Sequence, residues 1–149
     1  MSRLLVQIMK EVAKSKPVVQ RRVDIIVRKL RAPKSEAERF LRQRAERDDA
    51  DNIIGILGLS QDNKWAHHLN VNGVELHTWC AWDQLFLAQV LNQTVHGEST
   101  CPVSQKQINI IIGPDKVESC NPGKAVVSIV TLDPDKHDKR KLKELWSGL

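Results

Sequence analysis

The stretch that decides the reading is Leu76-His77-Thr78-Trp79-Cys80-Ala81-Trp82-Asp83-Gln84-Leu85-Phe86-Leu87-Ala88-Gln89-Val90-Leu91. An extended segment ends at Trp79, and a mostly apolar helical pattern begins near Cys80. Cys80 and Asp83 stand three residues apart, so a helix brings them to one face. A thiol near a helix N-terminus lies where the positive end of the helix dipole favours thiolate over thiol. A carboxylic acid on the same face is a candidate proton carrier. The same two residues also fit a plainly structural pair, with Cys80 a small buried hydrophobe and Asp83 a helix N-terminal cap.

Downstream of this stretch the pattern is one of short strands and turns. Thr94 to Ser99 reads as a strand, Thr100-Cys101-Pro102-Val103-Ser104 as a turn and Gln107 to Ile112 as a second strand, broken by Gly113-Pro114. Val117 to Cys120 is short and extended. Asn121-Pro122-Gly123 turns into a last strand from Ala125 to Thr131, and a polar, basic segment follows Asp133-Pro134. Upstream, Ile53 to Leu59 reads as one strand whose glycines mark a bulge or a close backbone approach. Lys64 to Asn70 reads as a strand candidate, and Asn72-Gly73, a strong hairpin signal, leads into Val74 to Trp79.

The first fifty residues follow a different period. Leu4, Leu5, Ile8, Met9 and Val12 recur at helical spacing, and Lys16-Pro17 stops that helix. Val19, Val23, Ile26, Val27 and Leu30 make a second apolar stripe, ended by Ala32-Pro33. Ser35 with Glu38 has the form of a capping box opening a third helix, Glu36 to Arg47. Three short helices with short connections suggest a winged-helix-like unit. The expected class is therefore α+β. A basic helical domain occupies residues 1–50, and residues 51–149 form a small mixed domain of antiparallel strands around one central helix.

Charge follows the same division. Residues 1–49 hold 14 Lys/Arg against 7 Asp/Glu, whereas residues 50–132 hold 4 against 7. The basic third admits nucleic-acid contact through Arg39, Arg42, Arg44 and Arg47. Glu36, Glu38, Glu46, Asp48 and Asp49 are interleaved with these arginines and would repel phosphates. No run approaches the ~20 apolar residues needed to span a bilayer, and no signal-peptide pattern is present, so the expected setting is the cytoplasm without membrane attachment. The three cysteines are then free thiols or metal ligands rather than a disulfide framework. His67 and His68 are adjacent and would face opposite ways on a strand, and the histidines form no convincing metal set. Trp65, Trp79, Trp82 and Trp146 read as core or core-edge residues, with Trp79 and Trp82 able to wall a pocket beside Cys80.

A soft sulfur beside a proton source suits cleavage of a bond between carbon and a soft metal. In order along the chain, Lys16-Pro17-Val18, Asn52-Ile53-Ile54-Gly55, Gly58-Leu59, Trp79-Cys80-Ala81-Trp82-Asp83, Cys101-Pro102-Val103-Ser104 and Asn121-Pro122-Gly123 with Ala125-Val126-Val127-Ser128 resemble the organomercurial (alkylmercury) lyases. The resemblance covers roughly residues 15–135. It implies protonolysis of a carbon–mercury bond, giving a hydrocarbon and Hg(II), with no cofactor. Carried over, Cys80 resembles the catalytic thiolate that attacks mercury. Asp83 resembles the acid that protonates the leaving carbon and later contacts the metal. Cys101 resembles a further, structural cysteine, and Cys120 has no catalytic counterpart. The family's second catalytic cysteine would fall beyond Leu149, which puts turnover by this chain in question and leaves Cys101 and Cys120 as the further thiols. The implied partners are an organomercurial substrate, Hg(II), cellular thiols and a mercuric reductase as acceptor. The alternative is a winged-helix DNA-binding, metal-sensing or metal-sequestering protein without catalysis.

Overall fold

The computed structural model describes residues 1–127. Its helices are α1 (Ser2–Val12), α2 (Gln20–Lys29), α3 (Lys34–Arg44) and α4 (Ala81–Leu91). Its strands are β1 (Ala45–Arg47), β2 (Ile53–Ile56), β3 (Leu59–Ser60), β4 (His67–Val71), β5 (Val74–Thr78), β6 (Val95–Thr100), β7 (Gln107–Ile112) and β8 (Val117–Asn121). All eight strands join one antiparallel sheet in the order β1-β2-β3-β5-β4-β6-β7-β8. The expected α+β class holds.

The apolar stripes do what their spacing implies. Leu4, Ile8, Met9 and Val12 of α1 are buried, as are Val23 and Ile26 of α2. They join Ile53, Ile56, Leu59, Leu69, Leu76, Leu87 and Val95 in one core. Helix α1 packs on β2, β3 and α4. Val18 and Ile53 exchange backbone hydrogen bonds of 2.8 and 3.1 Å, which tie the α1–α2 connection to the sheet. Residue 50 lies in the turn between β1 and β2, so the sheet itself runs across that point.

Three local expectations change. Helix α3 starts at Lys34 with Pro33 as its N-cap and makes no side-chain capping bond, so Ser35 and Glu38 do not form a capping box. Ser35 is already the second residue of the helix, so its hydroxyl is not at the cap position. The helix ends at Arg44 rather than Arg47, because Ala45–Arg47 turns extended and pairs with β2. Ile53 to Leu59 is a tight hairpin rather than one strand. Leu57 and Gly58 both adopt positive φ, 39° and 90°, and fold β3 back on β2. The Asn72-Gly73 turn between β4 and β5 is as expected, with φ of 52° and 80°. The strand expected from Ala125 to Thr131 and the basic segment after Asp133 lie largely outside the described residues.

Cross-strand pairing sorts the side chains by face. Leu76, Leu69 and Gly97 are neighbours across β5, β4 and β6, as are Thr78 and His67 across β5 and β4. These lie on the face covered by α4, where a Cβ on Gly97 would meet the Gln84 side chain at 2.9 Å. His77, His68 and Glu98 line up on the opposite face, where the His68 and His77 rings approach to 4.7 Å.

Candidate active site

Strand β5 ends at Thr78, one residue passes, and Cys80 becomes the N-cap of α4 with extended backbone (φ −147°, ψ 167°). Asp83 is then the third residue of the helix. The two close a reciprocal cap: the Cys80 side chain accepts from the Asp83 backbone, and the Asp83 carboxylate accepts from the Cys80 backbone N–H at 3.0 Å. The same carboxylate oxygen, Oδ2, lies 3.3 Å from Cys80 Sγ and takes its S–H. The structural and the chemical readings of this pair are thus one geometry. The bonds that start the helix also hold the sulfur against the acid.

The pair is buried, with Cys80 8% and Asp83 3% exposed. Two neighbours fix it from behind. Thr78 Oγ1 donates to the Cys80 carbonyl at 3.0 Å. Gly58 lies against Asp83, and its carbonyl accepts from Trp79 N–H at 3.2 Å. A Cβ at Gly58 would stand 2.4 Å from Asp83 Cγ, so this approach belongs to glycine.

Burial sets the protonation. It pushes the Cys80 thiol up to about 11, and the neighbouring Asp83 charge adds to the effect. The expectation that the helix N-terminus would favour thiolate is corrected here: desolvation outweighs the dipole, and the resting sulfur is a thiol. Burial also raises Asp83 above the ordinary carboxylate value, while its bonds from Cys80 act the other way. The site therefore stores a proton between a sulfur and a carboxylate.

The other two thiols are placed elsewhere. Cys101 opens the turn after β6, and its sulfur accepts from Ser104 N–H at 3.4 Å, which holds this half-buried thiol below its usual value. Cys120 lies on β8, opposite Ile110, with its sulfur 3.4 Å from the Pro122 carbonyl. Strand β8 is four positions from β5 in the sheet, roughly 19 Å at the usual strand spacing. Among the described residues no three His, Cys, Asp or Glu side chains converge to hold a metal ion. Cys80 and Asp83 are brought together; Cys101 and Cys120 do not join them in such a group.

A cavity of about 460 Å³ is lined by Lys64, Trp65, Ala66, His67, Trp79, Thr100 and Pro102; it reaches the residue before Cys80 but is lined by neither Cys80 nor Asp83. The Trp65 and Trp79 rings stand 5.5 Å apart. Trp79 lines this cavity as the sequence suggested, although Cys80 does not. Trp82 is 44% exposed and is not part of the lining, so that half of the expectation is corrected. A larger cavity of about 910 Å³, between α2 and α3, touches neither Cys80 nor Asp83. Sequence reasoning also missed Gln84 and Ser99. The one available signal was that Gln84 follows Cys80 by four residues, on the same helix face.

Known proteins resemble this chain in sequence and in fold. The family model for MerB, alkylmercury lyase, matches residues 60–142. An alkylmercury lyase of Streptomyces lividans is 41% identical over 88 residues, covering 59% of this chain and 40% of that relative. One from Staphylococcus epidermidis is 42% identical over 67 residues, covering 45% and 31%. The crystal structure of the mercury-bound form of MerB2 shares the fold with a TM-score of 0.64 at 20% identity, covering 82% of this chain and 60% of that one. The matched region thus spans less than half the length of these two relatives. The described residues contain no helix long and apolar enough to cross a membrane. The family match covers more than half of the chain, takes in Cys80 and Asp83 together, and places the chain in the alkylmercury lyase family.

Proposed function

We propose that the Cys80–Asp83 pair cleaves carbon–mercury bonds by protonolysis, releasing a hydrocarbon and leaving Hg(II). The observation that carries this is the 3.3 Å contact between a buried thiol and a buried carboxylate. Mercury is soft and binds sulfur strongly. As Cys80 Sγ bonds to the metal of an organomercurial cation, its S–H breaks and the proton passes to Asp83 Oδ2. Burial makes Asp83 a willing holder of that proton. The electron pair of the carbon–mercury bond then takes the proton from Asp83, and the hydrocarbon leaves. Hg(II) stays on the Cys80 sulfur, and the restored carboxylate balances its charge.

The Trp65–Trp79 rings offer an apolar wall for the organic group, and the burial of Cys80 and Asp83 keeps the proton from being lost to water. Cellular thiols, and a mercuric reductase presenting thiols, are the acceptors that this chemistry calls for, with the cytoplasm as its setting.

Methylmercury is the test substrate, with headspace methane and bound mercury measured together. Cys80→Ser should lose binding and methane. Asp83→Asn should bind but release no methane. Methane release by Asp83→Asn, or unchanged binding by Cys80→Ser, overturns the assignment.

A further inference from the structure

Three polar side chains, His67 in the cavity lining with Ser99 and Gln84 beyond it, form a relay that the cleavage step does not use. Gln84 Nε2 donates to two backbone carbonyls, His68 at 2.7 Å and Glu98 at 3.2 Å. Those bonds fix which end of the amide is nitrogen, so Oε1 is an acceptor. Ser99 Oγ lies 3.3 Å from that Oε1 and donates to it. A serine has one hydroxyl proton, so toward His67 Nδ1, 2.8 Å away, Ser99 can only accept. His67 is therefore the Nδ1–H tautomer. The reverse direction would set the Ser99 lone pairs against Gln84 Oε1 and leave that buried oxygen without a donor. The consequence is at the other ring nitrogen: Nε2 carries an unshared electron pair, and the ring lines the cavity beside Trp65 and Trp79.

The surroundings keep His67 neutral and available. Burial holds it below the ordinary imidazole value, with His68 on the opposite face adding to this. The cavity's cation, Lys64, is held by Asp62 at 2.6 Å and lies 3.9 Å from Glu46. Across the sheet His67 pairs with Thr78, whose hydroxyl donates to the Cys80 carbonyl. The base thus sits on the strand next to the one that delivers the metal-binding sulfur.

We propose that His67 is the base that takes the proton from an incoming small thiol as that thiol collects mercury from Cys80. The inference rests on the mercury chemistry assigned above to Cys80. In the step, the incoming S–H breaks and its proton goes to His67 Nε2. The new thiolate bonds to mercury as the mercury–Cys80 bond breaks. The imidazolium then returns the proton to the released Cys80 sulfur. One thiol is consumed, one is regenerated, and nothing is oxidised or reduced.

The test uses the Cys101→Ser/Cys120→Ser protein, in which Cys80 is the one remaining thiol of the chain. It is loaded with mercuric ion and challenged with 2-mercaptoethanol. An ordinary thiol is only a few per cent ionised at pH 7, so a base can raise the rate by at least about ten-fold. His67→Gln should hand over mercury about ten-fold more slowly at pH 7, and the defect should shrink below about two-fold near pH 9, where the thiol ionises unaided. Ser99→Ala, which keeps the imidazole but frees its tautomer, should show a smaller defect of the same pH form. Nitrogen-15 shifts of the His67 ring report the tautomer directly. An unchanged rate, a defect equal at both pH values, or an Nε2–H ring overturns the proposal. Loading and His67-independent handover sink this inference alone. His67-dependent handover without methane from methylmercury sinks the lyase reading alone, and failure of Cys80 to load sinks both.

Discussion

Replacing Gly58 by alanine separates the backbone from the site in one measurement. Gly58 has φ of +90°, and its missing Cβ would lie 2.4 Å from Asp83 Cγ and 2.5 Å from Oδ1. Gly73 has nearly the same φ, +80°, with nothing within 4 Å of its would-be Cβ. Gly73→Ala should therefore cost only the left-handed strain, about 1–2 kcal/mol. Gly58→Ala carries that strain and must also move Asp83 or the Leu57–Gly58 turn. Moving Asp83 breaks the reciprocal cap of α4, about 1 kcal/mol for a lost cap, and separates the carboxylate from Cys80. The excess of Gly58→Ala over Gly73→Ala should be about 1–2 kcal/mol, which for a chain of this size is roughly 2–8 °C of melting temperature. The second assay is alkylation of Cys80 against pH in the Cys101→Ser/Cys120→Ser background. Displacing Asp83 removes a negative neighbour and admits water, so the sulfur should titrate below its value of about 11. If the two glycine variants melt alike and Cys80 titrates unchanged in Gly58→Ala, Gly58 does not hold the acid in place.

The remaining thiols and core give further checks. At pH 7.5 limiting iodoacetamide should label Cys101 at least ten-fold faster than Cys80, since one thiol is only partly covered and held low while the other is buried and held high; peptide mass spectrometry reads the order. Because the folded Cys80 value exceeds the ordinary 9.0, its contribution to stability is full below about pH 9 and is lost as pH rises through about 11. Urea melts at pH 8 and 10.5 should therefore differ by about 1–2 kcal/mol more in the parent protein than in Cys80→Ser. Leu69→Ala, at a fully buried position between β5 and β6, should lower stability by about 2–5 kcal/mol in urea melts.

Periodicity exposed most of the architecture, because an amphipathic stripe depends only on which face meets the core. The stripes of α1 and α2 and the Asn72-Gly73 turn were legible for that reason. The β2–β3 turn was not, because Leu57-Gly58 interrupts an apolar run without any polar turn residue, and only its two positive φ angles reveal it. Strand β1 was hidden for the opposite reason. Ala45-Glu46-Arg47 continues a charged helical pattern, yet Glu46 is buried at 4% exposure, with Ser60 Oγ donating to it at 2.5 Å. No local propensity points to a buried glutamate whose partner is fourteen residues away. At the site, the Cys80–Asp83 spacing was sufficient to bring the pair together, because a helix converts spacing into contact. Protonation was not legible, since it depends on burial supplied by Gly58 and its neighbours rather than on position along the helix.

That protonation bears on how one sulfur and one acid divide the chemistry. A pre-ionised thiolate would bind mercury readily but would leave the carboxylate to find its proton elsewhere, in a site closed to water. A buried thiol brings the proton with it. In the proposed reaction, metal binding at Sγ would release the proton 3.3 Å from the oxygen assigned to carry it, and burial raises the affinity of that oxygen for it. Under the proposed chemistry the reaction would begin only when mercury is present to displace the proton, so that attack on the metal and charging of the acid would become one event. Asp83→Asn should for this reason do more than abolish methane release. With no acceptor beside the sulfur, the displaced proton must reach solvent, and methylmercury binding should slow at least ten-fold while its final occupancy is unchanged. Stopped-flow binding that is equally fast in Asp83→Asn and the parent protein would show that the thiol loses its proton by another route.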